Sequence, residues 1–129
     1  MFHAKEYVKA ESLEQAYELN QKRSNVLAGG MMWLKMSSGN RNTVIDLSGL
    51  GLDQIEETED EFRIGCMCSL RQLELHKGLN QYFGGAFREC TRWIVGTQFR
   101  NSATVGGSVF GRFGFSDILT CMMVLDTYV

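Results

Sequence analysis

A chain of 129 residues with 44% apolar and 22% charged side chains has the composition of a globular protein, long enough to bury a core. This excludes a disordered chain, a collagen and a coiled coil, and no apolar run approaches the ~18 residues a membrane-spanning helix needs. The net charge of −2 gives no general pull toward nucleic acid or an anionic membrane, and the charged stretch MFHAKEYVKAES lacks a leader's apolar core, so the expected location is the cytoplasm.

Ser12 and Gln15 have capping-box spacing, and Leu13, Ala16 and Tyr17 share one face, predicting a helix over 12–22. Residues 25–28 (NVLA) read as a buried strand stopped by Gly29-Gly30, and 43–47 (TVIDL) as a second strand. Helix, strand, glycine turn and strand in this order suggest a parallel βαβ unit. Residues 53–61 hold six acidic side chains and read as a solvated turn. Residues 1–61 carry net −5 and residues 62–129 net +3, which places a subdomain boundary near 52–60. Phe62, Ile64 and Cys66 alternate as in a half-buried strand, and Ser69 caps a helix to about Lys77. Residues 79–93 show helical spacing of Phe83, Phe87 and Cys90, with Ile94 continuing it. Residues 95–117 hold five glycines among apolar residues, too many for a regular element, so backbone approaches something closely there. Ser116 then caps an apolar helix, Ile118 to Leu125, with core-like methionines, and residues 126–129 read as the start of a strand. Proline is absent, so glycine makes the turns.

The four cysteines lack zinc or iron–sulfur spacing and read as reduced thiols, with Cys66 and Cys68 on one side of a strand. No metal is expected. His3 and His76 have no ligand or nucleophile–base pattern beside them. Arg100 and Arg112 among Phe99, Phe113 and Phe115 mix charge and rings as single-strand binders do, but two arginines in an acidic chain give no nucleic-acid partner.

Two glycine pairs carry the chemistry, Ala28-Gly29-Gly30 and Thr104-Val105-Gly106-Gly107-Ser108. Consecutive N–H groups of a glycine turn can nest an anion, and a missing Cβ lets backbone approach a diphosphate. Two such loops from different subdomains could clamp an extended dinucleotide. Neither is GxGxxG or a P-loop, so Rossmann and Walker readings fail.

In order and context the segments VLAGGMMWL (26–34), IDLSGL (45–50), IGCMCSLRQLE (64–74) and GTQFRNSATVGGSVFGRFGFSDILTCMMVLD (96–126) resemble the FAD-binding subunit or domain of the xanthine dehydrogenase and carbon monoxide dehydrogenase family of molybdenum hydroxylases. The resemblance spans essentially the whole chain. It implies an α/β (α+β) fold of the PCMH-type FAD-binding class. A subdomain over 1–55 would contain the parallel unit, and an incomplete one over 56–129 would start a mixed or antiparallel sheet with helices. The family's C-terminal domain would be absent. It implies FAD as cofactor, with Val26, Leu27, Ala28, Gly29, Gly30, Met31, Met32 and Trp33 wrapping the diphosphate. Thr104, Val105, Gly106, Gly107 and Ser108 would lie on its other side, Asp117 would accept from cofactor hydroxyls, and Ile94 and Phe110 would stand near the flavin. No catalytic side chain is implied.

Three departures stand out. Met31 and Met32 replace a hydroxyl residue and a polar residue, Ser108 replaces the commoner Asn, and the chain stops at Val129, before the rest of the family's fold, which suggests a truncated product. The implied function is an electron-transfer module, taking electrons from [2Fe–2S] and molybdenum-cofactor subunits through FAD to NAD or another acceptor. The alternative is a truncated assembly piece that no longer holds FAD. A further rival, a cysteine-based metal protein, needs all four cysteines to converge.

Overall fold

Three N-terminal segments pair as a parallel sheet in the computed structural model, which describes all residues from Met1 to Val129. The strands are β1 (Phe2–Lys9), β2 (Val26–Ala28) and β3 (Gly39–Asp46), in the order β1-β3-β2. Thr43, Val44 and Ile45 are buried in succession, so the central strand reads as a continuous run rather than an alternation. Helix α1 (Leu13–Asn20) connects β1 to β2 and seats Ala16 against Ala10 and Ile45. Ser12 Oγ accepts from the Gln15 N–H at 3.1 Å, and Gln15 Oε1 accepts from the Glu11 N–H at 2.7 Å. The return from β2 to β3 uses residues 29–38 with only a 3₁₀ turn (Leu34–Met36), where parallel crossovers ordinarily need a dozen residues or more. That short crossover is the first glycine loop.

The C-terminal lobe opens with a two-stranded antiparallel hairpin, β4 (Ile55–Glu57) and β5 (Phe62–Ile64). Six short helices follow: α2 (Leu70–Leu75), α3 (Lys77–Tyr82), α4 (Ala86–Thr91), α5 (Thr97–Ser102), α6 (Val105–Phe110) and α7 (Asp117–Met123). Their apolar faces share a core of nine buried residues, in which Leu73 and Leu79 are fully enclosed.

Several expectations change. Strand β1 was not legible, because most of its residues are exposed and its apolar residues do not alternate. The acidic run is part strand: β4 and the turn closed by the Thr58 N–H to Glu61 C=O bond. The helix expected over 79–93 is two helices, broken at a third glycine pair, Gly84-Gly85, both with φ near +60 to +85°. Strand β5 ends at Ile64, so Cys66 and Cys68 do not share a strand face; Cys66 is exposed and Cys68 buried. The glycine-rich 95–117 stretch is largely helical, because tertiary packing overrides glycine's poor propensity. Residues 126–129 form no strand; Tyr128 instead donates its hydroxyl proton to the Glu61 carboxylate.

Candidate cofactor site

The second motif is held by its neighbours before it meets any ligand. The Val105 N–H donates to the Cys68 carbonyl and the Gly106 N–H to that of Cys66, both at 2.8 Å, while the Leu70 N–H donates to the Ala103 carbonyl at 2.9 Å. A buried ion pair fastens the same two segments: Arg100 Nε lies 2.7 Å from Glu74 Oε2, and Arg71 Nη1 lies 2.7 Å from Glu74 Oε1. Burial alone would raise the Glu74 carboxyl, but hydrogen bonds from Arg100 and Arg71 outweigh it and hold it below the ordinary carboxylate value. Arg100 Nη1 also donates to the Ile94 carbonyl at 3.1 Å. Glu74 is not among the residues singled out from sequence, and Arg100 enters there only as a nucleic-acid contact. The signal available was that both stand inside the quoted motifs, 26 residues apart.

The lobes meet at the first glycine pair. A Cβ on Gly30 would fall inside the Ser102 carbonyl, and one on Gly29 would come 2.5 Å from Thr104 Oγ1. Beside this contact lies a cavity of about 630 Å³, within the ~300–1,000 Å³ range of ligand sites. Val26, Leu27 and Gly29 through Leu34 line one side; Ile94, Thr104, Gly107, Ser108, Phe110 and Asp117 line the other. Three expected residues stand away from it. Val105 is in the core, Gly106 is pressed against Cys66, and Ala28 faces a separate cavity that Lys5, Tyr7 and Asp46 help to line.

The two glycine pairs differ in what their N–H groups are free to do. Six consecutive N–H groups, Gly29 through Leu34, meet no acceptor within the protein, and all six residues border the cavity. The second pair is the first turn of α6, not an open loop. Its Gly106 N–H is spent on Cys66 and its Gly107 N–H on Thr104 Oγ1, at 3.2 Å, with Thr104 as helix N-cap. Gly107 contributes clearance instead: a Cβ there meets only Thr104 Oγ1, at 3.1 Å, and points no closer to any other group.

Backbone strain gathers at the cavity as well. The non-glycine residues with left-handed φ are Met31 (60°), Val95 (50°) and Arg112 (49°). The first two line the cavity, and Arg112 stands between the lining residues Gly111 and Phe113. For a β-branched valine this conformation is a true outlier, and the side chain that carries it is 77% exposed. Phe99, Phe113 and Phe115 also line the cavity; sequence reading had weighed them only as nucleic-acid contacts.

No Lys, Arg or His borders the cavity, and its one charge is Asp117. An anionic group there would be met by N–H dipoles and the Thr104 hydroxyl rather than by a cation, since the Ser108 hydroxyl donates its proton to the Thr104 carbonyl at 3.0 Å. Three of the cysteines offer no reactive thiolate: burial raises Cys66 and Cys68, and burial with the neighbouring Cys121 pushes Cys90 up to about 12. No three His, Cys, Asp or Glu side chains converge as a metal site requires, and no helix is long and apolar enough to cross a membrane.

An interlobe cavity bordered by residues with free N–H groups and by apolar side chains has the chemistry of a ligand site that suits an anionic group beside an apolar body. Comparison with known proteins names the class. Residues 2–129 match the model of the FAD-binding domain in molybdopterin dehydrogenase, and the chain belongs to that family; its cofactor is FAD. The chain is 26% identical over 131 residues to the 6-hydroxypseudooxynicotine dehydrogenase complex subunit alpha of Paenarthrobacter nicotinovorans, covering 96% of this chain and 44% of that one. It is 25% identical over 125 residues to the uncharacterised protein YgfM of Escherichia coli K12, covering 94% of this chain and 47% of that one. The chain thus spans about half the length of the curated relatives it matches. Its fold is that of a chain in a Cu,Mo-CO dehydrogenase crystal structure (TM-score 0.84, 21% identity, 95% of this chain and 45% of that one). A carbon monoxide dehydrogenase chain from Hydrogenophaga pseudoflava also superposes (TM-score 0.69, 24% identity, 81% of this chain and 38% of that one).

The residues present fit the cofactor. Free N–H groups suit a diphosphate, Gly107 leaves room for it, and the Asp117 carboxylate suits polyol hydroxyls.

Proposed function

We propose that this chain is the FAD-carrying electron-transfer module of a molybdenum-hydroxylase-type dehydrogenase, passing electrons from an iron–sulfur partner through FAD to NAD or another acceptor. The six free N–H groups of residues 29–34, all of which border the cavity, carry this reading. When bound, the flavin supplies the redox chemistry; this chain binds and orients it. Gly29 to Trp33 take the diphosphate through backbone donors, so Met31 and Met32 cost side-chain donors but no N–H. Thr104 offers a hydroxyl donor from the opposite wall, the Ser108 oxygen, its proton spent on the Thr104 carbonyl, can accept from a cofactor hydroxyl, and Asp117 accepts from the ribityl or ribose. Ile94 and Phe110 give apolar cover near the flavin. The subdomain division at about residue 55 belongs to the same reading, with β4 on the C-terminal side because it pairs with β5. The partners are a molybdenum-cofactor subunit and a [2Fe–2S] subunit. The relative named as a subunit of a dehydrogenase complex supports that assembly.

One observation favours the alternative, an assembly piece without flavin: Trp93, Val95, Phe110, Met123 and Val124 are all more than three-quarters exposed. An FAD titration of the purified protein separates the two, with FMN and AMP as controls. Saturable FAD binding, with FMN and AMP weaker, is the expected result. A folded protein that oligomerises and binds no flavin overturns the proposal in favour of the alternative.

A further inference from the structure

Four aromatic rings gather on the cavity wall from three separate segments. Trp33, on the first glycine loop, has its ring centroid 6.2 Å from Phe99, 6.0 Å from Phe113 and 5.7 Å from Phe115. Phe113 and Phe115 stack on each other at 5.2 Å with planes 14° apart. Phe99 comes from α5, and the other two from the link between α6 and α7, so Trp33 reaches across from one lobe to the other. All four line the cavity. They are not sealed as core rings are: Trp33 is 48% exposed and Phe115 66%. Buried aromatic clusters are explained by packing, but open ring faces at a concave wall leave apolar area in water that a flat partner would cover.

The position of the cluster narrows what that partner is. Trp33 belongs to the run of free N–H groups, so the cluster begins where a phosphate would be held. Asp117, the cavity's one charge, lies two residues beyond Phe115. A ligand spanning these points carries phosphate, hydroxyls and a flat apolar body. No Lys, Arg or His lines the cavity, so the rings are the largest apolar contact it offers such a ligand.

We propose that Trp33, Phe99, Phe113 and Phe115 form a ring-recognition surface that takes a planar heteroaromatic ring of the bound dinucleotide. This deepens the cofactor reading above by naming which part of the ligand this wall recognises. Both the flavin and the adenine of FAD have that chemistry, and separate ligands distinguish them.

The test measures calorimetric affinities of the 129-residue protein for FAD, riboflavin and ADP, in wild type, Trp33→Leu and Trp33→Phe. Leucine keeps apolar volume and loses the ring; phenylalanine keeps a ring. Thermal unfolding of each variant checks the fold. The expected result is FAD binding weakened about tenfold or more in Trp33→Leu and largely retained in Trp33→Phe, the size expected when an aromatic contact is lost. The half-ligand that shows the same pattern, riboflavin or ADP, identifies the ring. Equal FAD affinity in a folded Trp33→Leu protein overturns the ring surface and leaves the cofactor reading intact. If FAD does not bind wild type, the cofactor reading fails, and the half-ligands still decide: Trp33-dependent binding of either supports the surface, and none overturns it.

Discussion

The glycine pairs at 29–30 and 106–107 look alike in sequence and do opposite things in the structure. The first leaves its N–H groups unpaired and bears on the other lobe so closely that a side chain on Gly30 has no room. The second spends its N–H groups within its own lobe and, at Gly107, leaves a gap at the cavity wall. A glycine pair therefore serves as a donor array or as clearance depending on the element around it. The short β2–β3 crossover closes hydrogen bonds only from Lys35, Met36 and Ser37 and leaves the N–H groups of 29–34 without an acceptor, whereas the start of α6 is capped by Thr104 and bonded to residues 66 and 68.

Breaking the first pair has the largest effect. Gly30→Val forces the lobes apart at Ser102 and is expected to abolish FAD binding and destabilise the protein by about 3 kcal/mol, the upper range of overpacking, as read by titration and denaturant unfolding. Next is the brace behind the second pair. Glu74→Gln leaves Arg100 buried without its counter-charge and is expected to cost about 3 kcal/mol near neutral pH. The Glu74 pKa is lowered in the folded state, so its stabilisation is full above the unfolded carboxylate value of 4.5 and is lost as pH falls through the lower folded value. The wild-type unfolding midpoint should drop steeply below about pH 4.5, with the variant's profile flatter; parallel profiles contradict the assignment.

Gly107→Val separates clearance from fold. An added Cβ meets only the capping oxygen Thr104 Oγ1, at 3.1 Å, which must give slightly, so the stability cost should stay near the ~1 kcal/mol of a disturbed cap while FAD affinity falls at least tenfold. Unchanged affinity removes Gly107 from the ligand's path. Asp117→Ala should weaken FAD by about 2 kcal/mol, the scale of a hydrogen bond to a charged group, with FMN and AMP affinities showing which hydroxyls it serves. The smallest effect is that of salt. With no cation on the cavity wall, FAD affinity should stay within about twofold between low and physiological ionic strength, where a cation-bound diphosphate would weaken further.

What could be read in advance follows from how local each signal is. Ser12, Ser69 and Ser116 cap helices within three residues of themselves, and all three helix starts were legible. Gly84-Gly85 is just as local, yet the helical spacing of Phe83 and Phe87 runs through it and masks its break in 77–91. Strand β1 was hidden because its pairing partner lies some 37 residues away and its own side chains are mostly exposed. At the site, the glycine motifs and Asp117 were visible as ordered short segments. Which glycine N–H groups remain free was not, since Gly106 is satisfied by Cys66, 40 residues earlier in the chain. The Glu74–Arg100 pair and the Trp33 cluster were unseen for the same reason: each joins segments that only the fold brings together.

The most direct test is amide exchange across the two glycine segments with and without FAD. Protection gained at Gly29 through Leu34, with 105–108 protected before FAD is added and little changed by it, is the result this account requires. FAD bound with new protection confined to 104–108, and none at 29–34, would contradict it.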